Sequence, residues 1–291
     1  MADDSADPAT PDPDVVLGPP PTIDPDPLAP VRARYADWLG MNAGQVLEDR
    51  DEDPAQIRAM QLILRMERGR PPSWHAALRL AAGGAARLCL DPRVSSDPSW
   101  NAAIADYAGG HIRKVTRRAR GAQWAATAEL PGITTVEGEP DDADATEVRV
   151  LLPGLVGEVD KRVSKLQVGG TDAPVDAEPG EPVRDDVLAV WIPPEPVMTL
   201  GKTMAQAGHA GMIAAALLVA DAPDRLINWQ DDGCPVDVRR ADDEQWQRLS
   251  AAVRGPAAGW QQERLLAVRD AGFTEIAPGT ITVIARAPIA G

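Results

Sequence analysis

Apolar and polar positions along this chain form two series that run in the same order. Each series opens with a short apolar run, passes through a proline-containing loop into an alanine-rich stretch, and closes on a segment where apolar and polar residues alternate. The apolar runs lie at 60–64 and 187–191, the alanine-rich stretches at 73–82 and 202–220, and the alternating segments at 146–152 and 280–285. The runs and the alternation predict strands, and the alanine-rich stretches predict helices. Strands and helices in this order predict an α/β fold.

The two series also share a local motif. Residues 117–124 read Arg-Arg-Ala-Arg-Gly-Ala-Gln-Trp, and residues 239–246 read Arg-Arg-Ala-Asp-Asp-Glu-Gln-Trp. The spacing is too long for a solenoid repeat and favours a tandem duplication of one α/β unit. Chance similarity between two units rich in alanine and arginine is the alternative.

Acidic, proline-rich segments divide the chain. Residues 1–30 hold seven Asp and no Lys or Arg, and residues 171–183 hold four acids and no base. Such segments bury too little apolar surface to fold alone, so we predict a disordered tail over 1–30 and a linker over 171–183. They account for −11 of the net charge of −15, so the total charge does not exclude a nucleic-acid partner. The units then span 31–170 and 184–291.

Cysteine use and hydropathy bound the setting. Cys89 and Cys234 lie far apart and give neither a disulfide framework nor a zinc pattern. The acidic N-terminus has no basic start or apolar core of a signal peptide, and no uninterrupted run of 18 apolar residues occurs. We therefore expect a cytoplasmic protein that does not enter a membrane.

Candidate chemistry is confined to two segments of the second unit. Lys202, Gln206 and His209 share one face of the predicted helix, because they lie at i, i+4 and i+7. Asp270 and Thr274 lie on a predicted turn that leads into the last strand. A lysine at a helix start is electrostatically unfavourable unless it and the free backbone N–H groups face an anion. Taken singly, each motif has an ordinary alternative: a solvated lysine, a packed helix histidine and a hairpin with a solvated aspartate.

Together these segments resemble the type II peptidyl-tRNA hydrolases. The resemblance covers about 184–286 and includes the 276–280 run Ile-Ala-Pro-Gly-Thr. It implies tandem three-layer α/β/α domains, each around a small mixed sheet, in a family that is usually homodimeric. It also implies hydrolysis of the ester that joins a peptide to the 3′ end of tRNA, without metal or cofactor. The functional residues it implies are Lys202, Gln206, Asp270, Thr274 and Thr282 for catalysis, and His209 and Thr280 for substrate binding.

The chain departs from the family pattern in two places. The usual Arg-x-Asp after the first strand is replaced by Pro-Pro-Glu at 193–195, and Glu275 replaces a usual Gln. The first unit keeps only a His-Ala pair, at His75, so we predict that it is catalytically empty.

The first unit carries a basic segment instead. Residues 111–120 hold five Lys or Arg and no acid. We predict that Arg117, Arg118 and Arg120 bind the tRNA phosphates while the second unit cuts, and the alternative is a solvated helix face. The units would then form an intramolecular pseudo-dimer, or the chain a homodimer. Two other functions stay open: a non-catalytic scaffold for RNA or protein, and a deacylase of another aminoacyl ester.

Overall fold

The computed structural model describes residues 23–48, 53–139, 142, 145–270 and 276–290. It contains two sheet–helix units in tandem, each with a small mixed sheet flanked by helices, so the predicted α/β class is confirmed.

The N-terminal unit is built on one mixed sheet, in which the strand order is β2-β1-β4-β3 and the short β5 pairs with β1. β1 and β2 are parallel, and β4 is antiparallel to both of its neighbours. Its strands are β1 (Arg58–Arg65), β2 (Arg113–Ala119), β3 (Gly132–Glu137), β4 (Thr146–Leu151) and β5 (Gly154–Leu155). Its α-helices, with those that precede the sheet, are α1 (Ala29–Gly40), α2 (Ala43–Glu48), α3 (Trp74–Cys89), α4 (Pro92–Ser96), α5 (Pro98–Gly109), α6 (Gly121–Ala126) and α7 (Lys161–Ser164).

The C-terminal unit repeats this sheet. The strand order is β7-β6-β9-β8, with a parallel first pair and two antiparallel pairs. Its strands are β6 (Leu188–Ile192), β7 (Val236–Arg240), β8 (Leu265–Arg269) and β9 (Ile281–Arg286). Its helices are α8 (Leu200–Asp221), α9 (Pro223–Asp231), α10 (Asp243–Ala252) and α11 (Pro256–Glu263). The two units have matching strand order and direction. That they arose by duplication stays a prediction.

The units pack on each other through their long helices, α3 and α8. Small residues make this approach possible. A Cβ atom on Gly211 would lie 2.0 Å from the carbonyl oxygen of Ala82, and one on Gly83 would lie 2.8 Å from that of Cys234. One buried apolar cluster consequently runs through both units, with side chains from α3, α8 and both sheets.

Helix α1 precedes the N-terminal sheet but packs against the C-terminal unit. The Tyr35 hydroxyl accepts a hydrogen bond from the backbone N–H of Ala267 at 2.9 Å. The Arg269 guanidinium donates to the carbonyl oxygens of Trp38, Leu39 and Met41 at the end of α1. Of the predicted tail, residues 1–22 lie outside the described part, and the residues just before and within α1 include the buried Leu28 and Val31. The N-terminal segment thus covers one edge of the second unit.

Helix α8 is the core of the molecule. Within the described ranges it is the helix long and apolar enough to cross a membrane, and 83% of its most apolar 18-residue window is buried inside the protein. Its apolar composition therefore matches its packing between the two units. Cys89 and Cys234 are both buried and unpaired, and the cytoplasmic setting inferred from them stays a prediction.

Candidate active site between the two units

The candidate site begins at the N-terminus of α8. Thr199 is the N-cap, and its hydroxyl accepts from the backbone N–H of Lys202 at 3.3 Å. The N–H of Leu200 donates to the Asp172 carboxylate, and the N–H of Gly201 donates to the carbonyl oxygen of Thr171. The cap and the predicted linker thus satisfy the first N–H groups of this helix, and the anion that one of them faces is the carboxylate of Asp172.

Four of the predicted catalytic side chains form one hydrogen-bonded chain. Asp270 Oδ2 accepts from the ammonium group of Lys202 and from Gln206 Nε2, the latter at 2.8 Å. The Thr282 hydroxyl donates to Gln206 Oε1 at 2.8 Å. Asp270 is 4% exposed, Gln206 4% and Thr282 fully buried, whereas Lys202 keeps 15% of its side chain exposed. The ion pair is thus buried on its acid side and open on its lysine side.

The loop between β8 and β9 holds Asp270 in place. Its N–H donates to the Thr280 carbonyl oxygen at 2.8 Å, and its own carbonyl oxygen accepts from the N–H of Gly279 at 2.7 Å. Gly279 has φ of +79°, a conformation that glycine adopts without strain. Thr280 therefore contributes backbone contacts to the site. Thr274, predicted to be catalytic, and Glu275 lie outside the described residues. Glu195 is exposed and hydrogen-bonds the N–H of Val197.

A cavity of about 610 Å³ opens on this chain of side chains. Both units and α1 line it, which places the candidate site at the boundary between the units. The C-terminal unit contributes Lys202, Gln206, His209 and Asp270; the N-terminal unit contributes the start of β2, including Lys114 and Thr116; and α1 contributes Tyr35 and Trp38.

The predicted basic residues Arg117, Arg118 and Arg120 do not line this cavity. Residues 111–120 contain strand β2 rather than a helix, so successive side chains point to opposite faces of the sheet. Arg117 donates to Gln61 Oε1 and to the Leu166 carbonyl oxygen, both at 2.9 Å, and burial lowers its pKa. Arg118 donates to Gln167, and Arg120 is exposed at the end of the strand. Arg120 lies six positions after Lys114 along the chain, which is about 20 Å of extended backbone at ~3.3 Å per residue. Their role in tRNA binding stays a prediction.

Lys114 is a functional candidate that the sequence did not single out. Its ammonium group lies 3.2 Å from the Tyr107 hydroxyl, 3.4 Å from His209 Nδ1 and 3.6 Å from Met212 Sδ. Burial lowers the pKa of Lys114 to about 7. Burial, with Lys114 and Lys202 nearby, also holds the pKa of His209 well below its usual range, so His209 is neutral at neutral pH. The sequence signal for this candidate is a lysine at a strand position whose side chain points into the protein.

Replacing Lys114 with methionine should stabilise the protein at neutral pH. Between pH 7 and the usual lysine pKa of 10.5, the unfolded chain binds more protons than the folded one, so the buried lysine makes the free energy of unfolding rise with pH. We expect Lys114→Met to gain roughly 2–4 kcal/mol at pH 7 and much less near pH 10, since a pKa unit corresponds to about 1.4 kcal/mol. Urea unfolding at both pH values measures the difference.

The matched control is Lys165→Met, because Lys165 is exposed. It should leave the free energy of unfolding and its pH dependence unchanged. A Lys114→Met variant that gains nothing at pH 7, or gains equally at both pH values, would show that Lys114 is charged and well solvated in the folded protein.

The matching position in the N-terminal unit carries a different pair. Glu137 ends β3, the strand that corresponds to β8, and forms a bidentate ion pair with Arg79 of α3. An arginine–glutamate ion pair thus occupies the matching position in the first unit. His75 contacts Asp176 and Glu178 of the predicted linker, and it lies two residues after the Ser73 cap, whereas His209 lies ten after Thr199. The shared His-Ala pair is therefore not structurally equivalent.

Among the described residues, no group of three His, Cys, Asp or Glu side chains comes close enough to hold a metal ion. The hydrogen-bonded chain of described side chains in the site contains one ammonium, one carboxylate, one amide and one hydroxyl. This set can orient water, withdraw a proton and stabilise developing negative charge.

Comparison with known proteins agrees with the resemblance seen in the sequence. No curated protein and no solved structure matches the chain. The matched family region contains Lys202, Gln206, Asp270 and Thr282, and it begins at the end of the predicted linker. The C-terminal unit, residues 183–290, matches the family model of the peptidyl-tRNA hydrolase PTH2.

Proposed function

We propose that this chain hydrolyses the ester bond between a peptide, or an N-blocked aminoacyl group, and the 3′ end of tRNA. The observation that carries the proposal is the Lys202–Asp270–Gln206 cluster, which lies within the region matched by the family model and opens on the cavity. The family match supports the activity at the level of the family. We propose in addition the substrate and the role of each residue in the cluster.

Lys202 and Asp270 divide the chemistry of ester hydrolysis. Asp270 is held as a carboxylate acceptor by Lys202 and Gln206, so it can orient a water molecule and take its proton as the water attacks the ester carbonyl carbon. Lys202 faces the cavity with its exposed part and can donate to the oxygen on which negative charge develops. Attack forms a tetrahedral intermediate, its collapse breaks the carbonyl–O3′ bond, and the leaving ribose oxygen takes the proton that Asp270 removed from the water.

Gln206 and Thr282 fix the direction of this arrangement. Because the Thr282 hydroxyl donates to Gln206 Oε1, the amide NH₂ of Gln206 must point toward Asp270. Thr282 is itself fully buried on β9, so the orientation is set by the sheet. We assign these two residues to positioning Asp270.

The test compares two substrates that differ by one acetyl group. The full chain is incubated with N-acetyl-aminoacyl-tRNA and with the unblocked aminoacyl-tRNA of the same kind, and release of the labelled amino acid is measured. We expect rapid release from the blocked substrate and little from the unblocked one. Equal release from both would indicate a general aminoacyl-ester deacylase, and release from neither would indicate a non-catalytic scaffold.

The packing of α3 on α8 also bears on assembly. Both units contribute to one cavity within a single chain. We propose that the chain acts as an intramolecular pseudo-dimer, in which the first unit completes the site of the second.

A further inference from the structure

Strand β2 presents two polar side chains to the cavity that the proposed reaction does not use. Lys114 and Thr116 are two residues apart on a strand, so they lie on the same face of the sheet, and both line the cavity. Thr116 is 5% exposed, and within the described residues its hydroxyl has no hydrogen-bond partner. A buried hydroxyl without a partner is unfavourable in the unliganded protein, and a ligand that accepts its hydrogen bond would remove that cost.

The environment of Lys114 also favours an added acceptor. Its three neighbours are the hydroxyl of Tyr107, the ring nitrogen of His209 and the sulfur of Met212. Tyr107 uses its own proton to donate to the Arg113 carbonyl oxygen at 2.7 Å. Among the described residues no carboxylate is hydrogen-bonded to Lys114, so a charged lysine here has no counter-ion from the protein.

The described lining of the cavity carries more positive than negative side chains, although the chain has a net charge of −15. The carboxylate among the described lining residues is that of Asp270, and it is paired with Lys202. The Lys and Arg residues that line the cavity are Arg34, Arg113, Lys114, Lys202 and Arg269. Arg34 and Arg269 donate to backbone carbonyl groups, and neither forms an ion pair with another described residue. Such a cavity attracts an anion.

The helix of the second unit is shaped to admit Lys114. A Cβ atom on Gly208 would lie 3.0 Å from Lys114 Cδ and 3.3 Å from its Cε. The lysine stem therefore crosses α8 at a glycine, one residue before His209 and two residues after Gln206. Along α8, Lys202 and His209 are seven residues apart, which is about 10 Å at ~1.5 Å per residue. Lys114 contacts His209, so it enters the same cavity about two turns of α8 beyond Lys202.

We propose that Lys114 and Thr116 of the N-terminal unit form a phosphate subsite for the acceptor end of the substrate, next to the ester site of the C-terminal unit. The inference rests on the proposed function, since it takes the phosphate to be the one on the 5′ side of the esterified adenosine. A phosphate oxygen accepts from both the ammonium group and the hydroxyl, satisfies Thr116 and supplies the missing counter-ion. The first unit then binds the tRNA end through residues other than the predicted Arg117, Arg118 and Arg120.

The test measures binding of adenosine 5′-monophosphate, adenosine and inorganic phosphate to the full chain by calorimetry. We expect the monophosphate to bind about ten-fold more tightly than adenosine or inorganic phosphate alone, the size of one or two charge-assisted hydrogen bonds. Thr116→Val and Lys114→Met should each reduce the preference for monophosphate over adenosine several-fold, and Thr116→Ser should retain it. Lys165→Met is the control, because Lys165 is exposed and outside the cavity.

Hydrolysis provides an independent readout. With N-acetyl-aminoacyl-adenosine and its 5′-phosphate as minimal substrates, wild type should favour the phosphorylated one in kcat/KM, and Thr116→Val should lose that preference while still cleaving the unphosphorylated one. If neither ester is cleaved but the binding preference falls in both variants, the subsite stands and the proposed function fails. An unchanged preference in both variants, or inorganic phosphate binding as tightly as the nucleotide, overturns the subsite.

Discussion

Replacing Lys202 with alanine should reduce the rate of N-acetyl-aminoacyl-tRNA hydrolysis at least about 100-fold, the usual cost of removing a preorganised donor to a developing oxyanion. The change also removes the cation that pairs with Asp270, which is 4% exposed. We therefore expect the loss in kcat rather than in KM, measured under single-turnover conditions.

A structural side effect must be separated from this loss. Removing one member of a buried ion pair destabilises proteins by about 3–5 kcal/mol, so each variant needs a urea unfolding curve at the assay temperature. Lys202→Met keeps the aliphatic stem and serves as a second variant, and Lys165→Ala removes an exposed lysine elsewhere. Folded Lys202 variants with more than a tenth of wild-type turnover would remove Lys202 from the mechanism.

Replacing Gly211 with alanine should destabilise the whole molecule by at least about 2 kcal/mol. The new Cβ atom would lie 2.0 Å from the carbonyl oxygen of Ala82 and 2.7 Å from its carbon, and these backbone atoms cannot rotate away. Helices α3 and α8 must separate to admit the methyl group, and overpacking of this kind costs about 1–3 kcal/mol or more. The cavity has walls from both units, so hydrolysis should fall as well.

Gly109→Ala is the matched control, because Gly109 is also helical and a Cβ atom there would meet nothing within 4 Å. It should leave the free energy of unfolding within about 1 kcal/mol of wild type. Both variants are compared by urea unfolding monitored by circular dichroism. Equal stability of Gly211→Ala and Gly109→Ala would contradict the close packing of the two units that completes the site.

The sequence predicted the fold well wherever local patterns coincide with burial. Helix α8 was expected to run from Lys202 to about residue 220 and spans Leu200–Asp221, because an N-cap threonine and an uninterrupted small-residue stretch define it. Helix α3 extends to Cys89, seven residues beyond the predicted end at 82. Gly83 and Gly84 are poor helix formers, but Gly83 admits the backbone of Cys234 from the other unit and Gly84 packs against Val150 and Thr135 of the first unit's own sheet.

The sequence predicted part of the candidate site, because some of its residues lie close together along the chain. The spacing of Lys202 and Gln206 places both on one helical face, and the structure brings them to Asp270 and Thr282. The other wall could not be predicted, since Lys114 and Thr116 reach the cavity only when the two units dock. The cluster of basic residues in the sequence pointed instead to Arg117 and its neighbours, which follow Thr116 on the same strand and beyond it.

The most direct measurement of the central claim is single-turnover hydrolysis of N-acetyl-aminoacyl-tRNA by the full chain, run beside Asp270→Asn. Asparagine keeps the size of Asp270 but cannot take a proton from water, so it separates the proposed chemistry from packing. We predict that the wild-type chain releases all of the acetylated amino acid and that the variant hydrolyses the substrate at least about 100-fold more slowly. No release by the wild-type chain, or equal rates for the two proteins, would contradict it.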